Sequence, residues 1–315
     1  MKSRDSELII YCEGEKTEPN YLDKFKQKKI KVSFEVVEGK GGNRIDIVEN
    51  AISKFDSHVE ANNKRYRKKN RTSEPAPIDY EKWLLIDHDG GSDFLQAVKK
   101  AIDNGFHVAY SNMCFEYWIL LHFDTQYNDG KTIFGTSQYI STQGVLSSSH
   151  SQPIIDLINK EIDKYNKKTN LPCSAYDKKV PDDVFDLLLA KDSRTCKRRI
   201  VEAYSKAKDI HYNKESKLRG ISSILESSHE DSYETLQTVW DESITLVYKL
   251  IYRLGIIMEC CFTDINDKKV MLQQHGKTWY YYKGNNQVKF KGDTSTYYCP
   301  IYYEDYEREV ERCRL

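Results

Sequence analysis

Apolar and polar positions alternate along the first part of the chain in a pattern that predicts strands followed by helices. Short apolar runs predict strands at 7–12, 32–37, 83–86 and 107–110. Apolar residues that recur with the helical period predict helices at 18–26, 45–59, 93–103 and 111–123. Because strands and helices alternate, we expect right-handed βαβ units that form a mainly parallel sheet flanked by helices, an α/β fold.

The pattern changes after residue 123. A stretch rich in Ser, Thr and Gly at 130–151 predicts a long connection. Helical periodicity then returns at 154–165, 181–189, 194–208 and 233–256. The end of the chain is rich in tyrosine, and 278–290 is typical of a β-hairpin around a Gly-Asn turn. We therefore predict an α/β region at 1–130, a helical region at 131–257 and a small β-rich, Tyr-rich C-terminal extension at 258–315.

The charges of the chain balance, with 48 basic and 48 acidic residues, so a nucleic-acid surface has to come from local clustering. Six of the eight residues from Lys64 to Arg71 are cations and form such a cluster. A solvated loop over 61–79 is the first interpretation of this run, because dense like charge disfavours packed structure. An electrostatic arm that contacts a phosphate backbone is the second.

Three observations favour a cytoplasmic protein without a membrane anchor. No apolar run approaches the roughly 20 residues that a membrane-spanning helix needs. The polar start, Met1 to Asp5, lacks the apolar core of a signal peptide. The eight cysteines include no CxxC pair, which is typical of a reducing compartment rather than of a disulfide framework.

Acidic residues follow several of the predicted strands. Asp87 and Asp89 stand at the end of the third strand, on one side of the chain, because side chains alternate along a strand. Glu13 follows the first strand, and Glu116 lies in the first turn of the helix after the fourth. Because ligands bind at the carboxyl ends of strands in open α/β sheets, we expect these side chains to converge. Carboxylates suit Mg²⁺, or Mn²⁺ in its place, and such an ion promotes phosphodiester hydrolysis.

A glycine-rich turn, Glu38 to Asn43, precedes the second helix. Backbone amides in such a turn can bind a phosphate, which makes Lys40 a candidate substrate contact. The turn has neither the Walker pattern nor GxGxxG, so a plain tight turn is the alternative interpretation.

Three blocks of sequence resemble the RloB-like family of phage-defence Toprim proteins. They are Cys12 to Tyr21, Asp87-His88-Asp89, and Ser111 to Phe123, in that order. Glu13-Gly14 and Asp87-His88-Asp89, each after a strand, also resemble the metal-binding signature of the Toprim fold. The resemblance weakens towards Lys208, and no counterpart is recognised beyond about residue 215. Met113 departs from it, since the family tends to have proline there.

The resemblance implies a Toprim-like sheet and a definite set of site residues. Its metal ligands correspond to Glu13, Asp87 and Asp89. Glu13 is implied to be the general acid or base as well, and Glu116 matches a further acidic position near the site. Lys16 and Asn112 are implied to face the substrate.

The activity implied by the resemblance is that of a Mg²⁺-dependent endonuclease acting on RNA, such as tRNA, or on DNA. Its role would be that of a toxic effector in antiphage defence, held inactive until a partner or an infection signal releases it. An ATPase of the defence system is a candidate partner, and a homo-oligomer is a candidate assembly.

Two other functions stay open. Leu84 to Gly90 resembles the first motif of haloacid-dehalogenase-type phosphatases, in which Asp87 would be the nucleophile and Asp89 the acid/base. That motif usually occupies the first strand, and it gives Glu13 no role. The second alternative is a non-catalytic module that binds nucleic acid or a partner ATPase through the basic cluster and the Tyr-rich end.

Overall fold

Four strands form the central sheet of the molecule. They are β1 (Asp5–Cys12), β2 (Phe34–Val37), β3 (Ile78–His88) and β4 (His107–Asn112). All neighbouring strands are parallel, and their order in the sheet is β2-β1-β3-β4. The chain moves outwards from β1 to β2 on one side and from β3 to β4 on the other, so the strand order reverses between β1 and β3. The expected mainly parallel sheet is confirmed.

In the computed structural model the described residues are 5–28, 34–39, 42–88, 93–112, 114–123, 151–169, 172–193, 198–213, 245–261, 263–265, 268–270, 273–275, 278–283, 286–289 and 295–298. The helices within them are α1 (Thr17–Lys26), α2 (Arg44–Asn70), α3 (Phe94–Asp103), α4 (Glu116–Leu120), α5 (Ser151–Asn166), α6 (Asp182–Leu189), α7 (Arg199–Asn213) and α8 (Val247–Arg253). No helix in this part of the chain is long and apolar enough to cross a membrane.

The sheet is covered on both faces, which explains why its strands are apolar almost without interruption. Residues such as Ile10 and Leu85 point to the first face, where they pack with α1 and α4 to α8. Residues such as Tyr11 and Ile86 point to the second face, where they pack with α2 and α3. The same alternation sends Asp87 to the first face, at the carboxyl end of β3.

The basic cluster is helical, so the expected loop over 61–79 is wrong for its first ten residues. Helix α2 runs for 27 residues and contains the cluster up to Asn70. Arg71 ends the helix in the left-handed conformation, with φ 52°. Lys and Arg are strong helix formers, and cations in a last turn interact favourably with the helix dipole. The apolar stripe of α2 stops earlier, which is why periodicity alone placed the end of the helix near Val59.

The helices predicted at 154–165 and 181–189 are confirmed by α5 and α6. The helix predicted at 194–208 begins and ends later, as α7. Of the helix predicted at 233–256 only its last part is described, as α8, and the residues before 245 lie outside the described residues. These helices share one hydrophobic core with the first face of the sheet. The division of the chain at residue 130 stays a prediction.

Short strands follow α8. They are β5 (Met258–Cys261), β6 (Thr263–Ile265), β7 (Lys268–Val270), β8 (Gln273–His275), β9 (Thr278–Lys283), β10 (Asn286–Lys289) and β11 (Ser295–Tyr298). β9 and β10 are antiparallel with Lys283 opposite Asn286, which confirms the predicted hairpin. β8 extends it to three strands, and β11 pairs with β5.

Candidate metal centre

The carboxyl ends of β1 and β3 lie side by side, at the place where the strand order reverses. Cys12 pairs with Leu85, and the N–H of Glu13 donates to the carbonyl of Leu85 at 2.9 Å, so the ladder continues to Glu13. Asp87 is two residues further along β3 and pairs with Ser111 of β4. Ligands of open α/β sheets bind at such a reversal point. The two strands therefore bring Glu13 and Asp87 to one edge, as their positions in the sequence predict.

Glu13 is hydrogen-bonded to the backbone of Asp87. The N–H of Asp87 donates to Oε2 of Glu13 at 2.7 Å. Burial raises the pKa of Glu13, while this hydrogen bond and the nearby charge of Arg44 act in the opposite direction. The side chain of Glu13 thus fixes the position of Asp87 as well as contributing a carboxylate.

Arg44 holds the same strand end from the second face. Its Nε donates to the backbone carbonyl of Asp87 at 3.1 Å, and its Nη1 lies 3.0 Å from Oδ1 of Asp93. The backbone N–H of Arg44 donates to Oδ2 of Asp93 at 2.8 Å. Asp87 is therefore anchored through its own N–H and its own C=O. Sequence reasoning missed Arg44 and Asp93, because a single cation at a helix start and a single acid in a turn carry no distinctive pattern.

Glu116 and Glu18 approach from the first face. Both are nearly inaccessible, with 3% and 5% of their surface exposed. The hydroxyl of Thr17 donates to Oε1 of Glu116 at 3.3 Å. Lys16 is in the capping position of α1 and makes no side-chain cap, and Thr17 is the first residue of the helix. Its hydroxyl serves a tertiary contact instead of a local one.

Glu18 is the site residue that sequence reasoning missed most clearly. Its carboxylate lies directly over Gly14, where a Cβ would come within 2.6 Å of Oε2. Burial, together with the neighbouring charges of Glu116 and Glu13, raises the pKa of Glu18 to about 7. An acid in a first helical turn is common, since it complements the helix dipole, so the sequence gives no reason to single it out.

The carboxyl of Asp87 lies among these groups. Burial raises its pKa well above the usual range, and the charges of Glu18, Glu13 and Glu116 raise it further. The backbone N–H of Phe115 acts in the opposite direction. We call Glu13, Glu18, Asp87 and Glu116 the acidic centre. Its negative charge is compensated only in part, by Arg44 near Glu13 and by Lys178 near Glu18.

The model of the RloB-like protein family matches residues 8–254 of the chain. The chain belongs to the RloB-like family. The match reaches beyond residue 215, where no counterpart was expected from the sequence, and it includes every helix from α1 to α8. Neither a curated protein nor a solved structure matches the chain.

A divalent cation fits the acidic centre of this RloB-like protein. Its donors are carboxylate oxygens, which hard cations prefer, and the raised pKa values of Asp87 and Glu18 reflect burial and repulsion between neighbouring carboxylates, which a bound cation would relieve. Among the described residues, three ligand atoms come within 4.8 Å of one another only at Glu7, Glu35 and His58, away from the centre. The centre therefore suits an ion that keeps part of its water, as Mg²⁺ does.

Of the remaining predicted site residues of the RloB-like protein, Lys16 and Asn112 are described. Lys16 is exposed at the start of α1. Asn112 is buried, and its Oδ1 lies 3.1 Å from Nδ1 of His88, on the second face. Burial lowers the pKa of His88 to about 4, so its imidazole is neutral. Asp89 and Lys40 lie outside the described residues.

Part of the glycine-rich turn packs against the centre. A Cβ at Gly39 would overlap the backbone oxygens of Glu13 and Cys12. Asn43 caps α2 by accepting a hydrogen bond from the N–H of Asp46 at 2.9 Å. The described part of this turn thus has a packing role beside Glu13, in agreement with the tight-turn interpretation, and the phosphate contact of Lys40 stays a prediction.

Proposed function

We propose that this protein is a Mg²⁺-dependent nuclease that hydrolyses phosphodiester bonds in RNA, such as tRNA, or in DNA, with Mn²⁺ able to replace Mg²⁺. One observation carries the proposal: at the reversal point of a parallel sheet, Glu13 is hydrogen-bonded to the backbone of Asp87, and the charges of Glu13, Glu18 and Glu116 act on the carboxyl of Asp87. We propose Toprim-like chemistry, because Glu13 and Asp87 lie at the ends of strands, as in the Toprim signature. The biological role we propose is that of a toxic effector in antiphage defence.

Each residue of the site has a distinct proposed role. Glu13, Asp87 and Asp89 would hold the ion, which supplies Lewis-acid polarisation of a phosphoryl oxygen and a water molecule of lowered pKa. Oε2 of Glu13 accepts the N–H of Asp87, which fixes the position of its other oxygen for proton transfer. Arg44 keeps the end of β3 in place through the carbonyl of Asp87. Glu116 adds negative charge behind Asp87 and favours binding of a cation.

The basic end of α2 is the proposed contact for the nucleic-acid backbone. Helix α2 begins beside the acidic centre at Arg44, and its 27 residues extend about 40 Å to the cations at its other end. A substrate that contacts both ends has to be at least that long. Neutral replacements of Lys64, Arg65, Lys68 and Lys69 should weaken binding and reduce its salt dependence. An unchanged salt dependence would remove this helix end from the proposed interface.

The central test compares wild type with Asp87→Asn and Glu13→Gln. Each protein is incubated with tRNA, total RNA, single-stranded DNA and plasmid, in Mg²⁺, Mn²⁺ or EDTA, with the natural partner ATPase added where the genome supplies one. Wild type should cleave at least one substrate in the presence of metal, and both variants should lose activity by about 100-fold or more. The proposal is wrong if wild type and variants behave alike on every substrate.

The phosphatase alternative makes a different prediction. In that reaction Asp87 forms a covalent aspartyl-phosphate, and Glu13 has no part in the chemistry. The hydrogen bond between Glu13 and the backbone of Asp87 favours the nuclease, since it gives Glu13 a place in the same site. A trapped phosphoryl group on Asp87 would decide for the phosphatase. Partner control and the non-catalytic alternative are judged by the same cleavage assays, with and without partner, and a homo-oligomer is judged by the molecular mass of the protein in solution.

A further inference from the structure

The loop between α5 and α6, residues 172–180, has a fixed conformation although it contains no regular structure. Asn159 of α5 accepts a hydrogen bond from the N–H of Tyr176 at 2.6 Å and donates one to its carbonyl at 3.2 Å. Asn166 does the same for Cys173, at 2.7 and 2.9 Å. Two asparagine side chains thus replace the backbone partners that a strand would have.

The same loop ends in a strained residue. Val180 is fully buried and has φ 52°, in the left-handed region that a β-branched side chain rarely adopts. Its N–H donates to the carbonyl of Asp177 at 2.9 Å, which closes the turn. Such strain persists only where the surrounding structure determines the conformation. The position of Tyr176 within the loop is therefore set by the fold.

Tyr176 is buried, with 2% of its surface exposed, and its hydroxyl has no hydrogen-bond partner among the described residues. Burial of an unpaired hydroxyl is unfavourable, so a missing partner is expected at this position. Tyr176 belongs to the same core cluster as Cys114, Phe115 and Tyr117, which flank Glu116. In agreement, after burial the charge of Glu116 is the largest cause of the raised pKa of the Tyr176 hydroxyl, and Glu18 adds to it. Lys178 of the same loop is near Glu18.

We propose that Tyr176 belongs to the acidic centre and donates its hydroxyl to a water molecule bound to the divalent cation there. The inference rests on the proposed function, because it assumes a cation in the acidic centre. A hydrated ion fits best, since the described carboxylates do not close a three-ligand cage. A phenol that stays protonated is a donor, and a cation-bound water can accept its hydrogen bond. Tyr176 acts through the ion and is a positioning residue.

Tyr11 provides a matched control. It is also buried, with 3% of its surface exposed, and its hydroxyl also has no hydrogen-bond partner among the described residues. It points to the second face, where its ring packs edge-on against Phe106 at 5.7 Å. The substitutions Tyr176→Phe and Tyr11→Phe therefore remove equivalent hydroxyl groups, one beside the acidic centre and one away from it.

The test measures metal binding rather than catalysis, on the full-length chain. Isothermal titration calorimetry with Mn²⁺ gives the dissociation constant, and thermal unfolding in EDTA gives the stability of the metal-free protein. We expect Tyr176→Phe to weaken Mn²⁺ binding about tenfold. Its Tm in EDTA should equal or exceed that of wild type, because a buried unpaired hydroxyl is removed. A merely structural role would lower that Tm and leave the dissociation constant unchanged.

Each outcome decides one claim. Equal Mn²⁺ affinity of wild type and Tyr176→Phe, with binding lost in Asp87→Asn, overturns the role of Tyr176 and leaves the metal centre intact. An equal loss of Mn²⁺ affinity in Tyr11→Phe also overturns the role of Tyr176, since the loss would then not depend on proximity of the hydroxyl to the acidic centre. Absence of Mn²⁺ binding by wild type overturns both claims. Failure of the cleavage assays alone overturns the nuclease and not the role of Tyr176.

Discussion

Two groups of ionisable side chains lie against the same sheet, and only one of them contains nearly inaccessible carboxylates. Glu7, Glu35 and His58 bring three ligand atoms within 4.8 Å of one another. His58 lies between the two acids, 3.5 Å from Glu7 and 3.6 Å from Glu35, and the side chain of Glu35 is 48% exposed. In the acidic centre Glu18 and Glu116 are nearly inaccessible, and Glu13 and Asp87 are partly buried.

The two groups differ in the property on which the proposed metal centre rests. Acids that keep part of their hydration need no ion to lie close together. Buried carboxylates lose their hydration, and each one raises the pKa of its neighbours, as at Asp87 and Glu18. The proposed cation site therefore rests on desolvated carboxylates that repel one another and not on short distances between ligand atoms.

The largest loss of stability is expected from Gly39→Ala, which disturbs the packing beside Glu13 and leaves Glu7, Glu35 and His58 untouched. The added Cβ would overlap the backbone oxygens of Glu13 and Cys12, neither of which can move aside as a flexible side chain does. We expect a loss of about 3 kcal/mol or more in the free energy of unfolding, measured by urea denaturation.

Gly42→Ala is the control for this change. Gly42 has φ 118°, and a Cβ there meets nothing within 4 Å, so only backbone strain of about 1 to 2 kcal/mol is expected. Equal losses in the two variants would show that the contact between Gly39 and Glu13 is unimportant.

These contacts show which residues of the site can be predicted from the sequence. The proximity of Glu13 and Asp87 could be predicted from the sequence, because both residues follow apolar runs and the carboxyl ends of parallel strands share an edge of the sheet. The places of Glu18 and Arg44 in the site could not be predicted, because charged residues at the start of a helix are common and acids there complement the helix dipole. Tyr176 is harder still, since it reaches the centre from a loop beyond α5 through tertiary packing that no local pattern encodes.

The prediction of where α2 ends was wrong for a different reason. A run of Lys and Arg is compatible with a solvated loop and with a helix, because both residue types are good helix formers and neither requires burial. The apolar stripe stops before the helix does, so the length of α2 depends on intrinsic propensity and on the helix dipole. Hydrophobic periodicity detects the packed part of a helix and misses a polar extension.

An intermediate effect is expected from pH in the absence of metal. The pKa of Glu18 is about 7 in the folded protein and near 4.5 in the unfolded chain, so the folded state binds the proton more tightly. The stability contributed by protonation is complete below the unfolded pKa and is lost as pH rises through about 7. In EDTA the free energy of unfolding should fall by about 1 to 3 kcal/mol between roughly pH 5 and pH 8.

Glu18→Gln separates this effect from other titrations. The neutral amide keeps the shape of the side chain and removes its proton equilibrium, so the fall in stability with pH should be smaller in the variant. Mg²⁺ added to wild type should reduce the same fall, because the cation stabilises the ionised carboxylates. A pH profile of Glu18→Gln that overlays that of wild type would contradict the assignment.

The smallest changes in stability are expected in the partly exposed group of Glu7, Glu35 and His58. Glu35→Gln and His58→Gln each remove one partner of a solvated pair, which contributes less than about 0.5 kcal/mol in typical proteins. Denaturation should show changes of this size, and the Mn²⁺ dissociation constant should stay at its wild-type value, while Asp87→Asn abolishes binding. A loss of Mn²⁺ affinity in Glu35→Gln would reverse the comparison, because proximity of ligand atoms would then outweigh burial and the metal centre would lie at Glu7, Glu35 and His58.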